Sequence, residues 1–344
     1  MAALHYLLPL CVSALLLHWA AHLETRDPGP LSCEAETARP RLEERLVVVT
    51  GATTHTGYQV ALELARAGAR LVLGCRDAGR GRAVRDRLVA ASNNSRVSVL
   101  GLDLASLRHV ATFAWNLRDK LGVSRVDAVV HMAGAGPGRA GQLTREGLDT
   151  VVATNLLGPL HLATRLLDIL GSEAVIVNMV DTVLDPEPAG EVSPRHSAGQ
   201  DSEALYQLSQ HWLRLATTEM AARFAAVKPG RYVLRSYCLY KLTFIITVGV
   251  SVYTSVAQRW VWPSWPWLHS LPRPLVALLE PLLGPAPLAR EAGRATAWLA
   301  GGGARGRGSG DTWRGCGVSL VAGAGDSGRV WREGEEMIQM ALQS

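Results

Sequence analysis

Residues Leu46–Asp77 read LVVVTGATTHTGYQVALELARAGARLVLGCRD, and this stretch decides the fold. The apolar run at Leu46–Val49, β-branched from Val47 on, predicts a buried strand ending at Thr50. A glycine bend follows, and a helix begins with apolar side chains at Val60, Leu62 and Leu64. Strand, glycine turn and helix in that order separate a dinucleotide-binding turn from a chance glycine pair. Gly51 permits the tight turn, and Gly57 lets helix and strand pack closely. The start of the helix offers unpaired N–H groups to a pyrophosphate.

Outward from this turn, strand-like runs at Leu46–Val49, Arg70–Leu73, Val97–Leu100, Ala128–His131 and Ala174–Asn178 alternate with helical patterns. The helical patterns cover Tyr58–Ala67, Arg80–Ala91, Leu107–Lys120, Arg145–Ile169 (continuous or broken) and Leu205–Phe224. Short apolar strands between amphipathic helices imply an α/β fold, a Rossmann-type doubly wound parallel sheet covered on both faces. The expected organisation is an apolar segment over 1–23 and a linker over 24–43. A single core domain follows over 44–225, then a divergent substrate-side segment over 226–300. A Gly-rich loop and C-terminal segment occupy 301–344.

With 344 residues, 48% of them hydrophobic, the chain can bury a sizeable core. The net charge of +5 is scattered. Arg80, Arg82, Arg85 and Arg87 alternate beside Asp86 without the interleaved aromatics of a nucleic-acid stripe. They read as a solvated helix face, and no nucleic-acid partner is expected. The five cysteines lack metal-ligand spacing, so neither a metal site nor a disulfide framework is expected. Asn93-Asn94-Ser95 is a glycosylation sequon, a triplet too common to locate the chain.

The stretch ALHYLLPLCVSALLLHWAAHL (3–23) has no Lys or Arg and is long enough to cross a bilayer as a helix. A single-pass anchor of undetermined orientation is the favoured reading; a cleaved signal and a buried soluble helix are the alternatives. Leu242–Ala257 is apolar or small throughout, flanked by Lys241 and Arg259 and followed by Trp260, Trp262, Trp265 and Trp267. Two readings stand for it: a second membrane-embedded segment with interfacial tryptophans, or a core strand plus an apolar substrate lid.

In these motifs the chain resembles the short-chain dehydrogenase/reductase family, and more narrowly its membrane-bound retinol-dehydrogenase group. The resemblance covers 44–225 well and 270–300 and the WREGEEMI segment weakly. The family's TGxxxGxG is met by Gly51 and Gly57, with His55 in place of the middle glycine. The resemblance implies that Thr53, His55 and Thr56 lie along the cofactor phosphates, where a side chain at His55 would crowd a phosphate or hydrogen-bond it. It also implies that Asp103, in LDLASL, contacts the adenine amine, and that Ala133 and Gly134, in HMAG, offer backbone contacts. Asn155, in TNLLG, matches the structural asparagine of the catalytic tetrad. The resemblance further implies an endoplasmic-reticulum membrane location, a lipophilic small-molecule substrate and pairing into a homodimer.

Cofactor choice turns on the end of the second strand, where NAD sites carry a carboxylate and NADP sites an arginine. Here stand Cys75 and Arg76, which favours NADP over NAD.

The family's catalytic YxxxK becomes Tyr206-Gln-Leu-Ser-Gln210, so Gln210 keeps the position of the lysine and loses its charge. The family's serine is replaced by Asp181, and Thr182 offers a substitute hydroxyl. An unassisted tyrosine has a pKa of about 10, leaving about one molecule in a thousand ionised at pH 7. Losing a cation and gaining a carboxylate both push that pKa upward. Alcohol oxidation should suffer more than carbonyl reduction, in which a neutral phenol donates its proton. After the catalytic helix the family's Pro-Gly strand end is missing, which alters the nicotinamide clamp. Three readings stay open: a membrane-tethered NADP-dependent oxidoreductase of impaired activity, a catalytically inactive nucleotide-binding or scaffolding relative, and a membrane protein that no longer binds nucleotide.

Overall fold

A computed structural model describes residues 41–181, 201–227, 233–239, 293–294, 296–297, 300, 312–314, 317–318 and 326–343. The segment 1–23, Thr182, residues 242–257 and the Gly-rich stretch 301–310 lie outside them.

Strands β1 (Leu46–Thr50), β2 (Arg70–Cys75), β3 (Val97–Gly101), β4 (Val126–His131), β5 (Leu170–Asp181), β6 (Val233–Leu239), β7 (Thr312–Arg314) and β8 (Gly317–Val318) form one sheet in the order β3-β2-β1-β4-β5-β6-β7-β8. All pairings are parallel except β7 with β8. The order reverses direction between β1 and β4, the switch point where open α/β sheets leave a crevice.

Burial on both faces explains why β1 is apolar at every position before Thr50. Leu46 and Val48 face one core cluster, Val47 and Val49 the other. Helices α1 (His55–Arg66) and α2 (Ala78–Ser92) cover the second cluster, with Val60, Ala61 and Leu64 fully buried. The first cluster is covered by α3 (Leu107–Trp115), α4 (Thr150–Val152), α5 (Gly158–Leu166) and α6 (Ser202–Val227). It is also covered by α7 (Ser327–Gln343), which buries Val330, Trp331, Met337, Ile338 and Ala341. That i, i+1, i+7, i+8, i+11 spacing makes one apolar stripe.

Two helical patterns differ from expectation. Leu107–Lys120 is α-helical only to Trp115 and continues as a π turn over Asn116–Lys120. The segment expected as a helix from Arg145 begins at Thr150 instead, because Asp149 caps it. The Asp149 carboxylate accepts from the N–H groups of Val151 (2.7 Å) and Gly141 (2.6 Å). Gly147, at φ +73°, ends the preceding turn. A second π turn, Ala153–Leu157, joins α4 to α5.

At the end of the sheet opposite the crevice, the buried Asp127 carboxylate accepts from Leu46 N–H (2.9 Å) and pairs with Arg125 (2.9 Å) and Arg45 (3.3 Å). It ties the start of β1 to β4.

Candidate functional site

β1 ends at Thr50, and Gly51 turns the chain at φ +72°, a left-handed conformation that L side chains resist. A Cβ on Gly51 would stand 2.5 Å from the Ala133 nitrogen, so the turn lies against the end of β4. Thr54 caps α1. Its hydroxyl accepts from the Gly57 N–H (3.1 Å) and donates to the Gly51 carbonyl (3.0 Å). A Cβ on Gly57 would overlap that same carbonyl oxygen. The remaining first-turn N–H groups have no partner within the helix and carry the positive end of its dipole.

A cavity of about 430 Å³ opens at this turn. Gly51, Thr53, Arg76, Asp103, Ala133 and Gly134 all line it. Two expected phosphate residues do not: His55 is exposed at the first position of α1 and Thr56 is half-buried behind it, while Gly57, expected to serve close packing, lies beneath the turn. A Cβ on Gly134 would meet only the Asn155 Oδ1, at 3.5 Å. The small residue there leaves room to the cavity rather than serving close packing.

The far wall gathers charge. The Asp103 carboxylate accepts from the Ala105 N–H (3.1 Å), and its own N–H donates to His109 Nδ1 (2.9 Å). Arg76 is exposed at the end of β2, and Arg80 and Arg139 line the same cavity. Asp77 caps α2 by accepting from the Arg80 N–H (3.0 Å), and that bond holds its carboxyl below the usual carboxylate range. Burial, and then the neighbouring Asp77, push the Cys75 thiol up to about 11. At pH 7 it stays a thiol and is no nucleophile. Thr150, Thr154 and Arg139 are lining residues that the sequence did not single out, and Arg80, read there only as part of a solvated helix face, joins them. Asp77 ahead of a basic helix start was the local signal available for Arg80; nothing local marks the other three.

The catalytic-side residues are placed by a different network. Asn155 sits in the π turn Ala153–Leu157 and is 2% exposed. Its Oδ1 accepts from the Ala135 N–H (2.7 Å), and its Nδ2 donates to the Ala135 carbonyl (3.0 Å) and to Ser209 Oγ (3.1 Å). Ser209 in turn donates to the Tyr206 carbonyl (2.6 Å). Tyr206 and Gln210 are both half-buried on α6, one turn apart. Asp181 is the last residue of β5, in register with Leu239 of β6. Ser209 escaped notice in the sequence because its partner is 54 residues away.

Beneath the cavity, His131 ends β4 in register with Thr50 and Asn178. It is 2% exposed, and burial pushes its imidazole down to about 4. Among the described residues neither ring nitrogen has a hydrogen-bond partner. At neutral pH His131 is therefore uncharged.

Residues 45–183 match the short chain dehydrogenase family. The chain is 42% identical over 130 residues to human dehydrogenase/reductase SDR family member 13, covering 38% of this chain and 33% of that protein. It is 34% identical over 170 residues to human retinol dehydrogenase 13, covering 49% of each. It is 32% identical over 148 residues to mouse retinol dehydrogenase 12, covering 42% of this chain and 45% of that protein. The chain thus spans between a third and a half of the length of these relatives. Its fold matches a crystal structure of an uncharacterized protein from Mycobacterium paratuberculosis with a TM-score of 0.62 at 22% identity, covering 87% of this chain and 95% of that one. No helix among the described residues is long and apolar enough to cross a membrane.

Proposed function

Because the chain belongs, through residues 45–183, to the short-chain dehydrogenase/reductase family, whose members use nicotinamide nucleotides, we propose that it is an NADP-dependent reductase of lipophilic carbonyls. The observation that carries the reading is the Gly51 turn, held by Thr54 beneath a cavity whose walls bring Arg76 and Asp103 together. A bare glycine bend and a helix start suit a pyrophosphate. Asp103 suits an adenine amine, and Arg76 suits a 2′-phosphate. When bound, the cofactor supplies hydride.

Tyr206 supplies the proton. Gln210 carries no charge with which to stabilise a phenolate as the family's lysine would, so Tyr206 is read as a proton donor rather than a base. A protonated phenol donates to a carbonyl oxygen but is a poor base toward an alcohol. Reduction is therefore the favoured direction, at a rate below that of a complete tetrad. The retinol dehydrogenases among its relatives support a retinoid aldehyde as substrate, steroid and lipid aldehydes being apolar carbonyls of the same kind, and the apolar 3–23 supports work at a membrane.

NADPH fluorescence on the purified chain tests the cofactor. Absence of binding at millimolar cofactor would overturn the proposal. Turnover against a panel of retinoid, steroid and lipid aldehydes tests the reaction. The second reading, an inactive nucleotide-binding relative, is favoured by Asp181 and Gln210 standing where the family has serine and lysine; it predicts binding without turnover.

A further inference from the structure

We propose that Ser209 is a positioning residue, holding the turn that carries Tyr206 in register with the wall of the nucleotide cavity. The inference rests on the reading of the chain as a nucleotide-dependent reductase.

Three links run from the cavity to the tyrosine. Ala135 lines the cavity beside Gly134. Asn155 grips it at both its N–H (2.7 Å) and its carbonyl (3.0 Å). The same Asn155 amide donates to Ser209 Oγ (3.1 Å), and the Ser209 proton goes to the Tyr206 carbonyl (2.6 Å). Ser209 is 2% exposed, so its hydroxyl is spent wholly inside the protein, one proton given and one lone pair used. A serine that bonds back to the carbonyl three residues earlier bends its helix. That bond therefore shapes the one turn on which Tyr206 stands, and Asn155 fixes the turn to the cavity wall.

The absence of a lysine gives this link its weight. Where a cation four residues on would hold both phenol and cofactor, Gln210 offers no charge. Alignment of the phenol with a bound substrate then depends on hydrogen-bond geometry. Small misplacements of a reacting group cost rate far more than binding. Alanine at 209 removes one hydroxyl, leaves Asn155 its two bonds to Ala135, and adds no bulk.

The test compares the full-length wild type with Ser209→Ala and Ser209→Thr, using NADPH and all-trans-retinal. We expect kcat to fall about tenfold in Ser209→Ala, the effect of roughly one hydrogen bond. KM for NADPH stays within about twofold of wild type because the turn at Gly51 is untouched. Ser209→Thr restores kcat. An unchanged kcat in Ser209→Ala, or a loss confined to KM, would overturn the inference alone. If wild type binds NADPH without turnover, amide hydrogen exchange decides. NADPH should slow exchange over 206–210 in wild type and Ser209→Thr but not in Ser209→Ala, and equal slowing in all three overturns the inference. A wild type that does not bind NADPH overturns the proposed function, and this inference with it.

Discussion

A methyl group on Gly57 would lie inside the carbonyl oxygen of Gly51, the residue that turns the chain from β1 toward α1. The two glycines are six residues apart, yet the close approach of one is possible only because the other bends. A strained φ of +72° at Gly51 costs an L residue roughly 1–2 kcal/mol. Overpacking against the Ala133 backbone adds about 1–3 kcal/mol. Gly51→Ala should therefore lower the urea midpoint sharply and abolish NADPH binding. Thr54→Ala, which removes only the cap, should cost about 1 kcal/mol, and Thr54→Ser should restore it. A Gly51→Ala protein with normal stability and normal NADPH affinity would refute this account of the turn.

Arg76 stands exposed at the cavity edge, free to meet a dianion without losing a structural role. Arg76→Ala should weaken NADPH by about tenfold or more, the worth of one charge-assisted bond of about 1.5–3 kcal/mol, while NADH affinity stays as it was. Paired titrations of both nucleotides measure this. A parallel loss for both would show that Arg76 does not discriminate between them.

The replaced tetrad positions can be restored together. Asp181→Ser with Gln210→Lys should lower the phenol pKa by about 1–3 units, each worth tenfold in ionised base. Alcohol oxidation should rise by about ten to a thousandfold at pH 7, and carbonyl reduction much less. Activity in the double variant beside a silent wild type would instead establish the inactive relative. Equal oxidation rates in both would place these two residues away from the reacting centre.

Burial holds His131 uncharged, with a folded-state value of about 4 against an ordinary 6.5. His161 is shifted the same way, to about 4, by burial and then by Arg165. Between those values the unfolded chain binds protons that the folded chain refuses, so stability rises with pH across the window. Stability should be full above pH 6.5 and fall progressively toward pH 4. For His131 the ceiling is about 3 kcal/mol. His131→Asn should flatten the dependence of the urea midpoint between pH 7 and pH 5. An unchanged slope would mean that His131 is protonated in the folded protein.

The site divides by distance along the chain. Gly51 and Gly57 were legible because a strand end and a helix start are local demands, met by residues within one turn; the Thr54 cap between them was passed over. The alternation that placed β1–β5 was legible too, since inner strands such as β1 and β4, buried on both faces, are apolar along most of their length. Where the 145–169 helix begins was not legible. The expected start at Arg145 lies in a turn, and the Asp149 carboxylate that caps the helix at Thr150 also reaches back to Gly141. Ser209 was hidden for the same reason, since one hydroxyl among helical residues carries no sign of a partner 54 positions earlier.

What the sequence determined by itself is the strand–glycine–helix unit and the alternation around it, because backbone geometry and burial leave a periodic record in neighbouring residues. Only the tertiary structure decided which side chains meet. It brought Arg139 and Thr154 to the nucleotide cavity, aimed Asn155 at both Ala135 and Ser209, and laid α7 over the helix that carries Tyr206. Such contacts join residues that share no local pattern, and the packing of whole elements sets them.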